Sequence, residues 1–308
     1  MKQFIVKFFI FVIIIVALIS LPMILVQSSN IPEQLILPKN VTTIFMGDSH
    51  TQCAVDDKFF PNSLNISRSA ESYLYSYYKI KNILKLNPHI KNVVLGFSYH
   101  NLGAKYDDYV KMNNSKFKLM CKRYLVTYDP ELFFYLLKVN PIGVISNYPD
   151  FSKRSSSLLW RHATKNLRYI NFPFIGAFLD SDYSNLNDST ITYAINGQFY
   201  KKSGEYIGLS DIQTEYFNKI IEYFSNSDVN LVLINPPIYK DYYDRVPIPN
   251  IKLLNNMVTK FDNIVFLNHS NMSFPDDFWR DGDHLNNKSA KIYTQYLYNK
   301  FKELRIVE

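Results

Sequence analysis

Cysteine is scarce in this sequence: Cys53 and Cys121 are the only two in 308 residues. No Cys-x-x-Cys pair and no set of cysteines and histidines has the spacing of a zinc site. We therefore expect neither a metal nor another cofactor. The two cysteines can form one disulfide in an oxidising compartment, or they can remain as two buried free thiols.

The chain also lacks a dense cluster of basic residues, a low-complexity tract and an internal repeat. Its formal net charge of +7 comes from scattered Lys and Arg residues, which indicates a solvated surface and argues against a nucleic-acid partner. Hydrophobic residues make up 47% of the chain and charged residues 20%, and these proportions exclude global disorder. A chain of this length can bury a full hydrophobic core.

One long hydrophobic run lies at the N-terminus. Residues 8–26 carry no charge, and as a helix they span about 28 Å, the thickness of a bilayer core. Two lysines precede the run, so the positive-inside rule places the N-terminus in the cytoplasm and the rest of the chain outside. We predict an uncleaved anchor over residues 1–27, a linker over 28–40 and a folded domain over 41–308. A cleaved signal peptide is the alternative, and it delivers the same domain outside the cytoplasmic membrane.

Short apolar runs alternate with amphipathic stretches through the domain. The runs predict buried strands at residues 41–46, 93–97, 229–235 and 263–270. The stretches predict helices, the clearest at residues 73–86, 214–228, 252–261 and 287–304. This alternation indicates an α/β fold with a parallel sheet covered on both faces. Residues 103–210 fit the alternation poorly and are expected to form a large insertion, either a lid over the site or a structural flank.

The segment GDSH, residues 47–50, directly follows the first predicted strand. Functional groups of such sheets lie at the carboxyl ends of the strands. A serine nucleophile at Ser49 needs a base within hydrogen-bond reach and a third group that orients the base. Among the six histidines, His284 has such a group, because Asp281 precedes it by three residues and can fold its carboxylate onto the imidazole. Asp283 is the alternative orienting group.

Each of these motifs alone is compatible with a structural role. Asp and Ser are favoured turn residues, so Ser49 fits a polar turn that Asp48 anchors. His284 with its two neighbouring aspartates fits a solvated turn or a helix cap. Their joint occurrence at opposite ends of the α/β pattern favours a catalytic pair. We expect His50 to pack or to face the substrate, because adjacent side chains rarely point the same way.

Ser49 in GDSH and His284 in DGDHLNNKSA resemble the first and last sequence blocks of the SGNH (GDSL-like) hydrolase superfamily. The resemblance covers about residues 41–102 and 211–304. It implies a three-layer, flavodoxin-like parallel-sheet domain and acyl transfer through a serine ester, with His284 as the base and Asp281 as its orienting group. The histidine after the serine and the N-terminal anchor are similar to members that handle O-acetyl groups on bacterial envelope polysaccharides.

The resemblance also implies an oxyanion hole that combines the N–H of the nucleophile with an N–H from the second block. The matching stretch is LNISRSAES, where Ser67 and Ala70 stand at places where glycines are common, and either can supply this N–H. In the third block, GFSYHN, Ser98 stands where the family has an asparagine, and Asn101 or His100 is the alternative side-chain donor. Loss of one such donor typically lowers kcat about 100- to 1,000-fold.

The resemblance thus implies a membrane-anchored enzyme that adds or removes acyl groups, with acetyl the first expectation, on a cell-envelope polysaccharide outside the cytoplasm. A single-pass anchor gives acyl-CoA no route across the membrane. A transferase would therefore need a multispanning acyltransferase partner as its acyl source, whereas an esterase would not. The alternative is a non-catalytic glycan-binding or assembly protein with the SGNH fold.

Overall fold

Five short segments form one sheet, and their order across the sheet differs from their order along the chain. The strands are β1 (Thr43–Met46), β2 (Ser63–Asn65), β3 (Asn92–Gly96), β4 (Asn230–Asn235) and β5 (Val265–Asn268). They pair in the order β2-β1-β3-β4-β5, and every pair is parallel. This is the 2-1-3-4-5 order of doubly wound α/β domains. The α/β class and the parallel sheet predicted from the sequence are confirmed.

The computed structural model describes residues 2–28, 36–112, 114–124, 130–164, 175–261 and 264–307. The chain divides into two units, one made of Met1–Leu37 and Asp108–Phe174 and the other of Pro38–Asp107 and Ile175–Glu308. Helices of the first unit are α1 (Lys2–Ser28), α4 (Ser115–Tyr124), α5 (Pro130–Val139) and α6 (Pro141–Ala163). Helices of the second unit, which holds the sheet, are α2 (Ser49–Ala54), α3 (Tyr73–Leu86), α7 (Asp188–Phe199), α8 (Asp211–Ser225), α9 (Lys240–Tyr243), α10 (Ile248–Val258) and α11 (Asn287–Glu303).

Helices cover both faces of the sheet because its strands are apolar on both sides. On one face, Phe45 and Val94 join a hydrophobic core to which α2 and α11 contribute. On the other face, α3 packs against α8. There the ring of Phe97, which follows β3, stacks on Phe217 of α8 with centroids 4.4 Å apart. The sheet is therefore the middle of three layers.

The strand β2 is present in the structure but is not among the four strands predicted from the sequence. It has only three residues, and two of them are partly exposed, so the apolar pattern is too short to identify it. It ends at Asn65, whose side-chain amide donates to the carbonyls of Thr51 at 3.3 Å and Val55 at 2.7 Å. These bonds hold the loop after β2 against the helix that follows β1.

The insertion predicted over residues 103–210 is divided between the two units. Residues 108–174 lie in the same unit as the N-terminal helix, whereas residues 175–210 belong to the unit that holds the sheet. Within the unit that holds the sheet, α7 of this second part packs against α9. The ring centroids of Phe199 and Tyr242 lie 6.4 Å apart there. The two parts of residues 103–210 therefore belong to different units.

In the first unit, α1 packs against α6. Over the described residues, no helix combines the length and the apolar character needed to cross a membrane. The membrane anchor over residues 1–27 therefore stays a prediction from the sequence. Cys53 and Cys121 are both buried and free, as in the free-thiol alternative.

A buried ion pair fixes the loop that follows β2. Lys79 Nζ lies 2.7 Å from Glu71 Oε2, and both side chains are fully buried. The same ammonium group donates to the carbonyl of Ile66 at 2.6 Å, and Ser76 Oγ donates to Glu71 Oε1 at 3.0 Å. A buried charge that loses its partner is strongly unfavourable. The pair therefore ties α3 to both ends of residues 66–71.

Replacement of Lys79 by methionine is expected to lower the free energy of unfolding by about 3–5 kcal/mol, because Glu71 is left as an uncompensated buried charge. The double variant Lys79→Met/Glu71→Leu is expected to recover much of that loss. Urea denaturation can be followed by the fluorescence of Trp279, which is 1% exposed, in a background where the only other tryptophan, Trp160, is phenylalanine.

Lys240→Ala is the matched control, because Lys240 forms an exposed ion pair with Asp244. Its loss is expected to be much smaller than that of Lys79→Met, because exposed ion pairs contribute little to stability. Equal losses for Lys79→Met and Lys240→Ala would show that the buried pair does not stabilise the loop.

Candidate active site

The strand order creates a crevice between β1 and β3. The chain leaves β1 toward β2 on one side and leaves β3 toward β4 on the other side. Loops that diverge in this way open a space at the carboxyl ends of the two central strands, where ligands bind in doubly wound sheets. Residues 47–50 follow β1 and residues 97–103 follow β3, so both segments border this crevice.

The turn after β1 is tight and needs glycine. Gly47 has a φ of +147°, in the region that favours glycine. A Cβ on Gly47 would lie 2.6 Å from Thr51 Oγ1, and a Cβ on the adjacent Gly96 would lie 2.2 Å from the same atom. The side chain of Thr51 therefore occupies the space between the ends of β1 and β3, and α2 begins immediately after the strand.

Asp48 is bonded to residues on two segments that border the crevice. Its Oδ1 accepts the backbone N–H of His50 at 3.0 Å and so caps α2. Its Oδ2 accepts from His100 Nε2 at 2.5 Å, from Asn101 Nδ2 at 2.7 Å and from the Tyr106 hydroxyl at 2.7 Å. Asp48 thus anchors the turn and also the loop after β3.

The charge of Asp48 is stabilised by these partners. Burial alone would raise the pKa of this carboxyl, but His100, His50 and Tyr106 together hold the pKa well below its usual range. Asp48 is therefore ionised at neutral pH even though it is buried.

The third-block candidates from the sequence lie at this anchor. His100 and Asn101 donate to Asp48, and Asn101 Oδ1 also accepts the N–H of Ser98 at 2.6 Å. Ser98 Oγ is buried and has no hydrogen-bond partner among the described residues. The side-chain donors His100 Nε2 and Asn101 Nδ2 are therefore directed at Asp48. The sequence pattern did not indicate this contact.

The second-block candidates differ in their backbone N–H groups. The N–H of Ser67 donates to Asn65 Oδ1 at 3.0 Å, and that of Arg68 donates to the carbonyl of Gly47 at 2.9 Å. Ala70 has a φ of +61°, the left-handed conformation that is usual for glycine. Its N–H has no hydrogen-bond partner within the described part of the chain. Of the two candidates, Ala70 is the one with a free N–H.

The loop after β5 brings His284 and two carboxylates together. His284 Nδ1 donates to Asp281 Oδ1 at 2.8 Å and lies 3.2 Å from Asp283 Oδ1. Asp281 also accepts the backbone N–H of His284 at 3.0 Å. His284 Nε2 is buried, and no hydrogen bond reaches it from the described residues. The imidazole is thus oriented through Nδ1, and Nε2 is available.

The two carboxylates also set the charge of the imidazole. Burial alone would lower the pKa of His284, but Asp283 and Asp281 raise it well above 6.5. His284 in turn helps to hold the pKa of the buried Asp283 carboxyl well below its usual range, against the opposing effect of burial. The two carboxylates therefore favour the protonated form of the imidazole.

A hydrogen bond joins the serine segment to the histidine segment. His50 Nε2 donates to Asp283 Oδ2 at 3.1 Å, across 233 residues of sequence. The same oxygen accepts from Gln198 Nε2 at 2.5 Å, and the Tyr242 hydroxyl donates to Gln198 Oε1. The rings of His50 and His284 have centroids 5.1 Å apart. The immediate neighbours of Ser49 and His284 are therefore in direct contact.

Ser49 itself is half-buried at the first position of α2. No hydrogen bond joins its Oγ to His284 Nε2 among the described residues. Its backbone N–H also has no partner there, since α2 begins at this residue. Contacts between a nucleophile and its base are commonly loose without substrate.

Three of these side chains could also hold a metal ion. His50, Asp283 and His284 each offer a ligand atom, and these atoms lie within 4.8 Å of one another. Two imidazoles and one carboxylate suit zinc or ferrous iron. No metal was expected from the sequence, because no set of cysteines and histidines has the spacing of a zinc site, and His50 lies far from Asp283 and His284 in the chain. Their nitrogen and oxygen atoms bond to one another in this arrangement.

No protein-family model matches the chain, and neither does any curated protein. The functional assignment therefore rests on the side chains at the crevice. Gln198, Tyr242 and Tyr106 belong to this network and were missed, because nothing in their local sequence distinguishes them from other polar and aromatic residues.

Asp48→Asn is expected to destabilise the protein by about 3 kcal/mol at neutral pH, because the amide cannot accept the same set of donors. The loss is expected to keep its full size down to about pH 5 and to shrink as the pH falls further toward about 3. A carboxyl with a depressed native pKa stabilises the fold fully above its unfolded pKa of 3.8 and loses that contribution progressively as the pH falls from there toward the native pKa.

Urea denaturation of both proteins across this pH range, in the Trp160→Phe background, measures the difference. Asp244→Asn, at an exposed carboxylate, is the control and should cost little at any pH. A difference between the parent and Asp48→Asn that stays constant down to about pH 3 would contradict the assigned charge.

Proposed function

We propose that this chain is an extracytoplasmic acyltransferase or esterase of the SGNH type, in which Ser49 is the nucleophile, His284 the base and Asp281 its orienting group. The observation that carries the proposal is the hydrogen bond between His50 and Asp283. It joins the neighbours of Ser49 and His284 at a crevice where ligands bind in such sheets. The available Nε2 of His284 supports the same assignment.

The proposed reaction has two steps. In the first, His284 Nε2 takes the proton of Ser49 Oγ as this oxygen attacks the acyl carbonyl, and the leaving alcohol receives that proton when the ester bond breaks. In the second, water or a sugar hydroxyl attacks the serine ester, and Ser49 regains its proton. The free N–H groups of Ser49 and Ala70 are the proposed donors to the oxyanion of each tetrahedral intermediate.

The proposed substrate is an acyl group, first of all acetyl, on a cell-envelope polysaccharide. This rests on the resemblance of GDSH and DGDHLN to SGNH proteins, and on an uncharged N-terminal run that would deliver the domain outside the cytoplasm. As a transferase the chain would take its acyl group from a multispanning acyltransferase partner. As an esterase it would transfer the group to water.

A non-catalytic glycan-binding or assembly role is the second candidate. The observation that favours it is the lack of a hydrogen bond between Ser49 Oγ and His284 Nε2 in the described structure. The two candidates differ in whether Ser49 reacts with an electrophile.

The purified full chain is expected to hydrolyse a chromogenic acetyl ester and to be labelled at Ser49 by a serine-directed phosphonate. Ser49→Ala and His284→Ala are each expected to lower the hydrolysis rate at least about 1,000-fold, because members of a triad act as a unit. Mass spectrometry locates the label. Ser225→Ala is the matched control, since this serine bonds to the carbonyl of Ile221 on α8.

Labelling at another residue, or equal hydrolysis by all variants, would favour the binding role. A chelator is expected to leave the labelling rate unchanged. Loss of labelling after chelation, with recovery on addition of Zn²⁺, would instead assign His50, Asp283 and His284 to a metal.

The rate of Ser49 labelling is expected to rise with pH and to level off well above pH 6.5, because His284 must be neutral to accept a proton and its pKa is raised. Asp283→Asn removes the strongest charge that raises this pKa, so the rise should move to lower pH. Labelling rates from about pH 5 to about pH 10 measure both profiles. Profiles centred at one pH would show that Asp283 does not control the charge of His284.

A further inference from the structure

The guanidinium of Arg280 has few hydrogen-bond acceptors. Its Nη1 donates to Cys53 Sγ at 3.5 Å, and its Nε lies 3.9 Å from Asp281 Oδ2, beyond hydrogen-bond distance. A guanidinium has five N–H donors, and a thiol sulfur is a weak acceptor. Among the described residues this side chain makes no other hydrogen bond or ion pair. Most of its donors are therefore available.

Among the described residues, the positive charge of Arg280 has a single, long ion pair, to Asp281 Oδ2 at 3.9 Å. Burial raises the pKa of the Cys53 thiol, so this group is uncharged at neutral pH. Asp281 already accepts the hydrogen bond from His284. An arginine outside the site, Arg245, is different, because it donates to the carboxylate of Asp188 and to a threonine hydroxyl on α7.

Arg280 lies between the two halves of the proposed site. Its backbone N–H donates to the carbonyl of His284 at 2.9 Å, which closes the loop that carries Asp281 and the base. Its guanidinium reaches Cys53, which lies one helical turn after Ser49 on α2. About a third of the side chain, 32%, is exposed to solvent. The cation is therefore partly exposed, in contact with the helix that begins at Ser49 and on the loop that carries His284.

We propose that Arg280 binds an anionic group of the substrate, so that the preferred glycan carries a carboxylate or a phosphate close to its acyl ester. This inference rests on the proposed function of the same site. The planar fork of a guanidinium matches both anions through paired hydrogen bonds. Asp281 and Asp283 would repel such a substrate, and Arg280 would help to offset this repulsion.

The test compares three acetylated substrates on the full chain: a neutral hexose glycoside, the matching uronic acid glycoside and a hexose phosphate. Acetate release gives kcat/KM for each. The wild-type chain is expected to prefer at least one acidic substrate by about tenfold or more, and the preferred one identifies the anion. Raising the salt concentration from about 50 mM to about 500 mM should weaken that preference.

Arg280→Gln is expected to lower the acidic-to-neutral ratio of kcat/KM about tenfold or more, mainly through KM, because the ground-state contact is lost. Arg280→Lys keeps the charge without the fork and should give an intermediate ratio. Arg245→Gln is the matched control and should leave the ratio unchanged. If Arg280→Gln does not fold, the lysine variant and the salt dependence carry the test.

Equal preference of the wild-type chain for all three substrates would overturn the proposal. An equal loss on acidic and neutral substrates in Arg280→Gln would overturn it too, and would make Arg280 a positioning residue for Asp281. Phosphonate labelling of Ser49 tests the proposed function separately. If that labelling fails, calorimetry with a deacetylated uronic acid oligosaccharide still tests the role of Arg280. Equal affinity of the wild-type chain and Arg280→Gln for this oligosaccharide would contradict the inference.

Discussion

The hydrogen bond between His50 and Asp283 connects two distant segments of the chain at the crevice. It joins the helix that begins at Ser49 to the loop that carries His284, and both partners are buried. A buried donor or acceptor without a partner costs about 1–3 kcal/mol, so this pairing favours one arrangement of the two segments. The sheet order supplies the opening between β1 and β3. The bond decides which side chains face each other across it.

Much of the fold could be predicted because its strands are short, apolar and regularly separated by helices. The strands β1, β3 and β4 are apolar and mostly buried, β5 is apolar but partly exposed, and helix α3 has the predicted bounds of residues 73–86. The strand β2 escaped because three residues cannot establish a period. The division of residues 103–210 between the two units reflects tertiary contacts such as those between α7 and α9, which no local pattern encodes.

The candidate site was predictable to the extent that its residues are neighbours in sequence. Asp281 and His284 lie within one turn, and their bond follows from that spacing. Contacts of Asp283 with His50 and Gln198 join distant segments, so their identity depends on the tertiary fold. The same holds for Ala70, whose free N–H is apparent only once the hydrogen bonds of its neighbours are known. Local spacing thus indicated a histidine and a carboxylate, and the remaining contacts came from topology.

Asp48 both caps the helix that begins at Ser49 and anchors the segment after β3. One oxygen caps the helix of Ser49, and the other accepts three side chains from the loop after β3. A carboxylate has about four acceptor positions, and Asp48 accepts four hydrogen bonds, three of them on Oδ2. A change at Asp48 removes the shared acceptor of His100, Asn101 and Tyr106, and a change at any of these three removes one donor from the buried carboxylate. In a set of related sequences these four positions should therefore covary, and a survey of their joint residues would show how far this architecture extends.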